Sequence, residues 1–288
     1  MMFSMISFKG VSKVFDGREV LAGLTFDINP GEFVCVTGPS GAGKSTILHL
    51  LIRAEVATGG VIEVDGADLA LLPPPILQLY RQRTGVVFQD YKLLPDRTVE
   101  ENIAFALEVC GVSEDEIAQR VSSILERFEL TDRADAFPHE LSGGEKTRAA
   151  LGRALVHNPS ILIADEPTGN IDPEQSQRIL RYLKTIHSEG TTVILATHDK
   201  LVVDSLGVRV IRIENGKVVR DSVGGYTVPD AASSPEAITV ESEGHTKAHH
   251  PRRSSSHHAP RRKLSHADTD PAETPTPEGG TIKPVEEA

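Results

Sequence analysis

Residues 33–46 read Phe-Val-Cys-Val-Thr followed by Gly38-Pro39-Ser40-Gly41-Ala42-Gly43-Lys44-Ser45-Thr46. The first five residues form an apolar run that predicts a buried strand, and residues 46–52 predict a helix. The segment between them matches the pattern G-x-x-x-x-G-K-[ST], in which backbone N–H groups and a helix N-terminus surround phosphate oxygens. Lys44 would neutralise phosphate charge, and Ser45 would offer an oxygen to Mg²⁺. We therefore predict a phosphate-binding loop rather than a glycine-rich turn that binds nothing.

A second apolar run, residues 161–164, ends in Asp165 and Glu166. Open α/β sheets bind their ligands at the carboxyl ends of the strands, so this acid pair is expected beside the phosphate loop. Asp165 is predicted to orient the Mg²⁺ shell, and Glu166 to polarise the attacking water as a general base. By itself the pair would equally suit an acidic strand terminus, and the phosphate loop favours the catalytic interpretation.

Two further polar residues, Gln89 and His198, follow the predicted strands at 84–88 and 193–197. An amide in that place can reach both Mg²⁺ and the lytic water, and an imidazole can donate a hydrogen bond to the γ-phosphate. Each signal is weak alone, because glutamine is common at strand ends and a lone histidine is more often structural. Their order along the chain, relative to the other motifs, is what favours a catalytic role.

The stretch Leu141-Ser142-Gly143-Gly144-Glu145 lies between the phosphate loop and the acid pair. Alone it would be a polar turn that opens a helix. With the other motifs in this order, residues 3–228 resemble the ATP-binding cassette (ABC) ATPases from end to end. The resemblance implies binding of ATP with Mg²⁺ and hydrolysis to ADP and phosphate. It also implies a homodimer, in which residues 142–145 complete the ATP site of the other subunit.

The same resemblance implies roles for individual residues. Phe15 would stack on adenine, the alternative being a core aromatic on an edge strand, and Asp172 matches an aspartate of the family's D-loop. Gln89 matches the glutamine of the Q-loop, and His198 matches the switch histidine. Lys146 and Thr147 depart from the two glutamines that usually follow this signature, but they remove none of the groups that contact phosphate.

A narrower resemblance, carried by residues 89–109 and 164–170, is to the FtsE type of cell-division ATPase, particularly its Gram-positive and actinobacterial branch. It implies an FtsX-like integral membrane partner and a peripheral position on the cytoplasmic face of the cell membrane. ATP cycles would then control cell-wall hydrolases. Lipoprotein-releasing and MacB-like exporters share much of the pattern, so an export ATPase is the alternative. A soluble ABC ATPase acting on ribosomes or DNA is disfavoured, because those carry two cassettes or a long insertion.

The fold class predicted from these patterns is α/β, a RecA-like P-loop NTPase core with two additions. Near-continuous apolar strands suit a sheet that helices cover on both faces. Alternating residues at 6–14 and 61–65 predict an antiparallel β subdomain, and helical periodicity at 107–130 predicts a helical subdomain inserted at about 90–155. Residues 73–75, Pro-Pro-Pro, are interpreted as a rigid surface loop.

Composition narrows the possible functions of the 288 residues. A net charge of −11 argues against nucleic-acid binding across the surface. Two cysteines exclude a disulfide framework, and Cys35 is expected to be a buried apolar residue. The apolar runs are far shorter than the roughly 18 residues of a membrane span, and no secretory signal is expected. Membrane contact is therefore expected through a partner.

The last segment, residues 229–288, is rich in Pro, Ser, Thr, Ala, His and charge, and it predicts a disordered tail. Between Glu243 and Asp268 it has no acidic residue, six Lys or Arg residues and six histidines. A solvated polyampholyte is the first interpretation. Attraction to anionic lipid, phosphorylation of serines beside the basic residues and metal capture are the alternatives.

Overall fold

The computed structural model describes residues 4–226, so the predicted tail at 229–288 lies outside the described residues. The strands are β1 (Ile6–Phe15), β2 (Arg18–Ile28), β3 (Phe33–Thr37), β4 (Gly59–Val64), β5 (Ala67–Asp68), β6 (Thr84–Val87), β7 (Ile161–Asp165), β8 (Thr192–Thr197), β9 (Arg209–Glu214) and β10 (Lys217–Val223). The α-helices are α1 (Lys44–Leu51), α2 (Pro74–Gln82), α3 (Val99–Glu108), α4 (Glu114–Arg127), α5 (Gly143–Leu155), α6 (Pro173–Ser188) and α7 (Lys200–Leu206).

Two sheets organise the chain. The central sheet has the strand order β10-β9-β3-β8-β7-β6, in which β9 to β6 are parallel neighbours and β10 is an antiparallel edge strand. The second sheet is antiparallel and has the order β2-β1-β4-β5. The predicted α/β core and antiparallel β subdomain are therefore both confirmed.

Both faces of the central sheet are buried, and the side chains of β3 show how. Successive side chains of a strand point to opposite faces. Phe33 and Cys35 join a cluster with α3 to α7, which we call the helix-side cluster. Val34 and Val36 join a cluster with α1 and the antiparallel sheet, which we call the β-side cluster. Because neither face meets water, residues 33–36 are all apolar, as predicted for this run, and the buried Thr37 ends the strand.

Cys35 is fully buried, as expected, and burial raises the pKa of its thiol to about 12. A thiol with so high a pKa carries very little thiolate at neutral pH. Cys35 therefore serves as a small apolar residue of the core.

The helical insertion between β6 and β7 is present and is built from α3, α4 and α5. Helix α3 begins in a capping box, in which the Thr98 hydroxyl accepts from the Glu101 N–H and Glu101 accepts from the Thr98 N–H. Gly111, at φ 73°, allows the chain to turn between α3 and α4. The predicted helical stretch 107–130, with its expected interruption at Gly111 and Ser113, thus contains the end of α3 and the whole of α4.

The prolines at 73–75 start a helix, so the interpretation of this segment as a rigid loop was wrong. Pro73 is the N-cap residue of α2, and Pro74 occupies the first helical position. The first N–H groups of a helix have no intrahelical acceptor, so a proline there costs no hydrogen bond and its ring presets the helical φ. Three successive prolines therefore open α2 rather than prevent it.

No helix within residues 4–226 is long and apolar enough to cross a membrane.

Leu195 and Leu201 allow a matched test of this core. Leu195, in β8, is fully buried in the helix-side cluster, whereas Leu201, in α7, is 78% exposed. We expect Leu195→Ala to lower the free energy of unfolding by about 2–5 kcal/mol, because it removes buried methyl groups and leaves a cavity. Leu201→Ala should change it by about 0.5 kcal/mol or less. Urea denaturation of both variants measures the difference, and equal losses would contradict the two-sided core.

Candidate active site

The predicted site segments meet at the carboxyl edge of the central sheet. The phosphate loop follows β3, His198 follows β8, Glu166 follows β7 and Gln89 follows β6, and these four strands are adjacent and parallel. They border a cleft of about 660 Å³. Its lining consists of Phe15, Asp16, Arg18, Val20, Ser40, Gly41, Gly43, Lys44, Ser45, Thr46, Gln89, Glu166 and His198.

Close packing against other strands explains two glycines of the phosphate loop. A Cβ at Gly38 would lie 2.2 Å from the Ile213 carbonyl oxygen, and one at Gly43 would lie 2.5 Å from a methyl of Leu21. Gly43 is also the N-cap residue of α1, at φ 101°, a conformation that L side chains rarely adopt. The loop is therefore seated against β2 and β9, and its path is set before any ligand binds.

Lys44 lies within the curve of the loop. Its side chain is only 7% exposed, and its Nζ donates to the carbonyl oxygens of Gly38 at 3.0 Å and Pro39 at 3.2 Å. Gly38, Pro39 and Ala42 do not line the cleft. Gly38 and Pro39 hold Lys44 through their carbonyl oxygens, and Ala42 packs into the β-side cluster. The loop thus has a ligand-facing side and a supporting side, which the motif alone did not separate.

Asp165 carries an unpaired oxygen beside Ser45. The residue is 8% exposed, and its Oδ1 has no hydrogen-bond partner among the described residues. Burial raises the pKa of the Asp165 carboxyl, and a hydrogen bond from the Ser45 side chain opposes the rise. Carboxylate and hydroxyl oxygens together with phosphate oxygens are the ligands that Mg²⁺ prefers. The residues present therefore fit a magnesium ion at this point.

Glu166 is held over the cleft in a strained backbone conformation. Its φ is 47°, in the left-handed region, and its N–H donates to the Ala196 carbonyl at 2.9 Å. The carboxylate is 10% exposed, with Oε1 at 2.6 Å from His198 Nδ1 and 3.9 Å from Lys44 Nζ. Its position is thus fixed from two sides, as the predicted role of Glu166 as a general base would require.

The signature residues 142–145 lie at the N-terminus of α5 and do not line the cleft. Ser142 and Glu145 form a capping box, in which the Ser142 hydroxyl lies 2.7 Å from Glu145 Oε2. The hydrogen bond from Ser142 lowers the pKa of Glu145, and Arg133, at 2.9 Å, acts in the same direction. The resemblance placed these residues in the ATP site of the other subunit, and the cleft within one chain does not include them.

Both glycines of the signature are needed for close packing. A Cβ at Gly143 would lie 2.8 Å from the Asn170 carbonyl oxygen, and one at Gly144 would lie 2.9 Å from the Gln175 side chain. The start of α5 therefore lies directly against the loop that leads into α6 and against the first turn of α6.

Asp172 lies in that loop and caps α6, its Oδ1 accepting from the Gln175 N–H at 2.9 Å. It lies outside the lining of the main cleft. A second cleft of about 540 Å³ shares Glu166 and His198 with the first and is lined by residues on both sides of Asp172.

Thr147, one of the two departures after the signature, is a structural residue. It is fully buried, and its hydroxyl donates to the Gly143 carbonyl at 3.0 Å and lies 3.4 Å from the Pro167 carbonyl oxygen. A glutamine in this place would need a different set of partners. Lys146, its neighbour, is half-exposed.

Three lining residues were missed from the sequence: Asp16, Arg18 and Val20. Phe15 pairs directly with Arg18 across the turn between β1 and β2. The Asp16-Gly17 dipeptide at that turn was the available signal, because such a dipeptide between two strands predicts a hairpin. A hairpin would have placed Arg18 beside Phe15.

Comparison with known proteins agrees with this geometry. The sequence pattern of the family described as "ABC transporter" matches residues 21–169. The chain is 47% identical to the cell division ATP-binding protein FtsE of Streptococcus pneumoniae, over 79% of this chain and 100% of that protein. It is 44% identical to the protein of the same name from Mycobacterium tuberculosis, over 77% of this chain and 97% of that one.

Among solved structures, the chain is similar to a dimeric ATP-binding cassette in a post-hydrolysis state with bound ADP and Pi. The TM-score is 0.71 and the identity 33%, covering 76% of this chain and 98% of that one. With the cleft, the strand order and these matches together, the chain belongs to the ABC transporter family and is one of its ATP-hydrolysing cassettes.

Proposed function

We propose that this ATPase works in cell division, as a homodimer coupled to an FtsX-like integral membrane protein. One observation carries the dimer: the cleft is lined by residues of the phosphate loop and by Glu166, but the signature residues of the same chain lie elsewhere. The cell-division role is supported by relatives that are 43–47% identical over nearly their whole length and are named for that process.

The chemistry follows from the positions of the side chains in the cleft. Lys44 neutralises charge on the β- and γ-phosphates, and Ser45 and Asp165 would hold Mg²⁺, which supplies further neutralisation when bound. Glu166 accepts the proton of a water that attacks the γ-phosphorus as the bond to the ADP oxygen breaks. His198 lies against the Glu166 carboxylate through Nδ1, and in its imidazolium form it would also donate from Nε2 to the γ-phosphate. Gln89 would orient the water and would reach the ion at the cleft edge.

The second half of each site comes from the other subunit. Ser142, Gly143 and Gly144 lie at the positive end of the α5 dipole, and the first N–H groups of a helix have no intrahelical acceptors. Such a terminus binds phosphate oxygens. In a head-to-tail dimer it would close over the γ-phosphate held by the partner, with Glu145 maintaining the cap and Asp172 at the subunit boundary. The adenine would stack on Phe15, which lines the cleft and is 37% exposed.

The membrane partner would contact residues 89–102, which connect the cleft to the helical insertion. Tyr91 and Leu93 are half-buried and pack against the helix-side cluster, so core packing accounts for part of this apolar segment. Asn102 is fully buried and fastens the segment to α3 through hydrogen bonds with Leu94, Arg97 and Thr98. A force on this segment would thus reach both Gln89 and the insertion.

The ATPase would lie peripherally on the cytoplasmic face of the membrane. The basic part of the tail is a second proposed contact with the membrane.

Glu166→Gln tests the general base. We expect ATP hydrolysis to fall by about 100-fold or more, because the amide cannot accept the proton. ATP binding should persist, and the variant should accumulate as a nucleotide-bound dimer. Phosphate release and gel filtration with ATP measure the two effects. Glu126→Gln, an exposed position on α4, is the matched control. Undiminished hydrolysis in Glu166→Gln would refute the assignment.

Lys44→Ala tests the phosphate loop. Loss of a charged donor to phosphate should weaken ATP binding by about tenfold or more. Calorimetric titration with ATP measures the affinity, and Lys217→Ala, at an exposed position in β10, is the control. Equal affinity in the two variants would count against the loop as the nucleotide site.

The partner is tested by purifying the Glu166→Gln chain with ATP from detergent-solubilised native membranes and identifying co-purifying proteins by mass spectrometry. We expect an integral membrane protein with few spans and a large outer loop. A preparation without ATP is the control. A many-span permease, or a permease with an export adaptor, would instead identify the chain as an export ATPase and refute the cell-division role.

A further inference from the structure

Phe15 needs support that the hydrophobic core does not supply. It is the last residue of β1, is 37% exposed and belongs to neither the helix-side nor the β-side cluster. An aromatic ring at a strand end, beside a turn, has several rotamers open to it. Ordering the ring when a base stacks on it lowers the binding affinity, unless another residue already holds the ring in place.

Lys13 lies against this ring. The two residues are two apart on β1, so their side chains leave the strand on the same face. Lys13 Nζ is 4.5 Å from the centroid of the Phe15 ring, a cation–π contact. Because the ammonium covers one face, only the opposite face can receive a base. The cation also draws ring electrons toward itself, so the opposite face repels the electron-rich face of a purine less.

The ammonium is itself fixed. Lys13 is 9% exposed, which is unusual for a lysine, and its Nζ donates to Glu55 Oε2 at 2.7 Å and to the Val56 carbonyl at 2.8 Å. Lys13 therefore cannot leave the ring without giving up two charge-assisted hydrogen bonds in a partly buried place.

The residues that hold Lys13 lie on the segment that follows α1, the helix that begins at the phosphate loop. Further hydrogen bonds tie this segment to β1, from the Val14 N–H to the Thr58 hydroxyl at 3.0 Å and from the Thr58 N–H to the Ser12 carbonyl at 2.8 Å. The separation between the ring and the phosphate loop is thus set through α1.

We propose that Lys13 is a positioning residue for the nucleobase: anchored by Glu55 and Val56, it holds the Phe15 ring at a fixed distance from the phosphate loop as a one-sided stacking surface. This inference rests on the proposed role of Phe15 in binding adenine. Lys13 would therefore affect binding of the nucleobase and not binding of the phosphates.

The test compares a nucleotide with its phosphate part alone. The full chain with Lys13→Met, which keeps the length of the stem and removes the charge, is titrated calorimetrically with adenylyl imidodiphosphate and with inorganic tripolyphosphate, each with Mg²⁺. We expect the affinity for the nucleotide to fall about three- to tenfold, the range of a cation–π contact. The affinity for tripolyphosphate should not change.

The matched control is Lys9→Met, the same exchange on the same strand, where the exposed lysine pairs with Glu63 at 2.6 Å. It should leave both affinities unchanged. In a Phe15→Ala background, Lys13→Met should have no further effect on nucleotide binding. A further loss there, an equal loss for both ligands, or no loss in Lys13→Met would overturn the inference.

Phe15→Ala alone distinguishes failure of the proposed stacking on Phe15 from failure of the proposed role of Lys13. If it leaves nucleotide affinity unchanged, the proposed stacking on Phe15 is wrong, and the role of Lys13 is refuted with it. If it weakens nucleotide binding while Lys13→Met does not, the stacking proposal stands and only the role of Lys13 is refuted. Should Lys13→Met fail to fold, Glu55→Ala removes one anchor of the ammonium. A selective loss of nucleotide affinity in that variant supports the inference, and unchanged affinity overturns it.

Discussion

Burial of both faces of the central sheet is the constraint on which the rest of the molecule depends. Strands β3, β7 and β8 are buried at every position, so their faces have no room for polar chemistry. Polar side chains can stand only where these strands end, and in parallel neighbours the carboxyl ends coincide. The phosphate loop, the acid pair, Gln89 and His198 are therefore brought together by the same packing that stabilises the fold.

Within this edge, the charged groups are arranged before ligand binds. Lys44 is held by carbonyl oxygens of its own loop, Glu166 by a strained backbone and by His198, and one oxygen of Asp165 is buried without a partner. The unpaired Asp165 oxygen and the strained backbone at Glu166 are costly in a site that binds nothing, because a buried polar group without a partner and a left-handed non-glycine residue both destabilise the fold. A divalent ion bound with a triphosphate would supply the missing partner of Asp165. Burial of this oxygen would then favour binding of that ligand.

Helix α5, which begins with the signature residues, also contacts the segment that follows Glu166. The hydroxyl of Thr147 on α5 contacts the carbonyl of Pro167, the residue that follows Glu166. The glycines at the start of α5 pack against the loop that carries Asp172. In the proposed dimer, the helix that closes one ATP site would thus touch the segment that follows the acid pair of the other. The two sites would be mechanically linked through Thr147, Pro167 and the start of α5.

Local sequence was sufficient for some of these conclusions and not for others. The phosphate loop, the acid pair and the buried strands are short contiguous patterns, so the α/β core and its antiparallel and helical additions followed from sequence.

The prolines before α2 were misread because the preference of proline for the first helical turn competes with its preference for loops. That the Thr147 hydroxyl lies against the Pro167 carbonyl and that Gly43 packs on Leu21 depend on residues distant in the chain. The contact between Lys13, Glu55 and Phe15 likewise exists only after β1 has packed beside the end of α1. The sequence by itself determined which segments form the motifs and the buried strands, because these patterns are local. The tertiary structure decided which of the motif residues share one cleft, because that depends on strand order and packing.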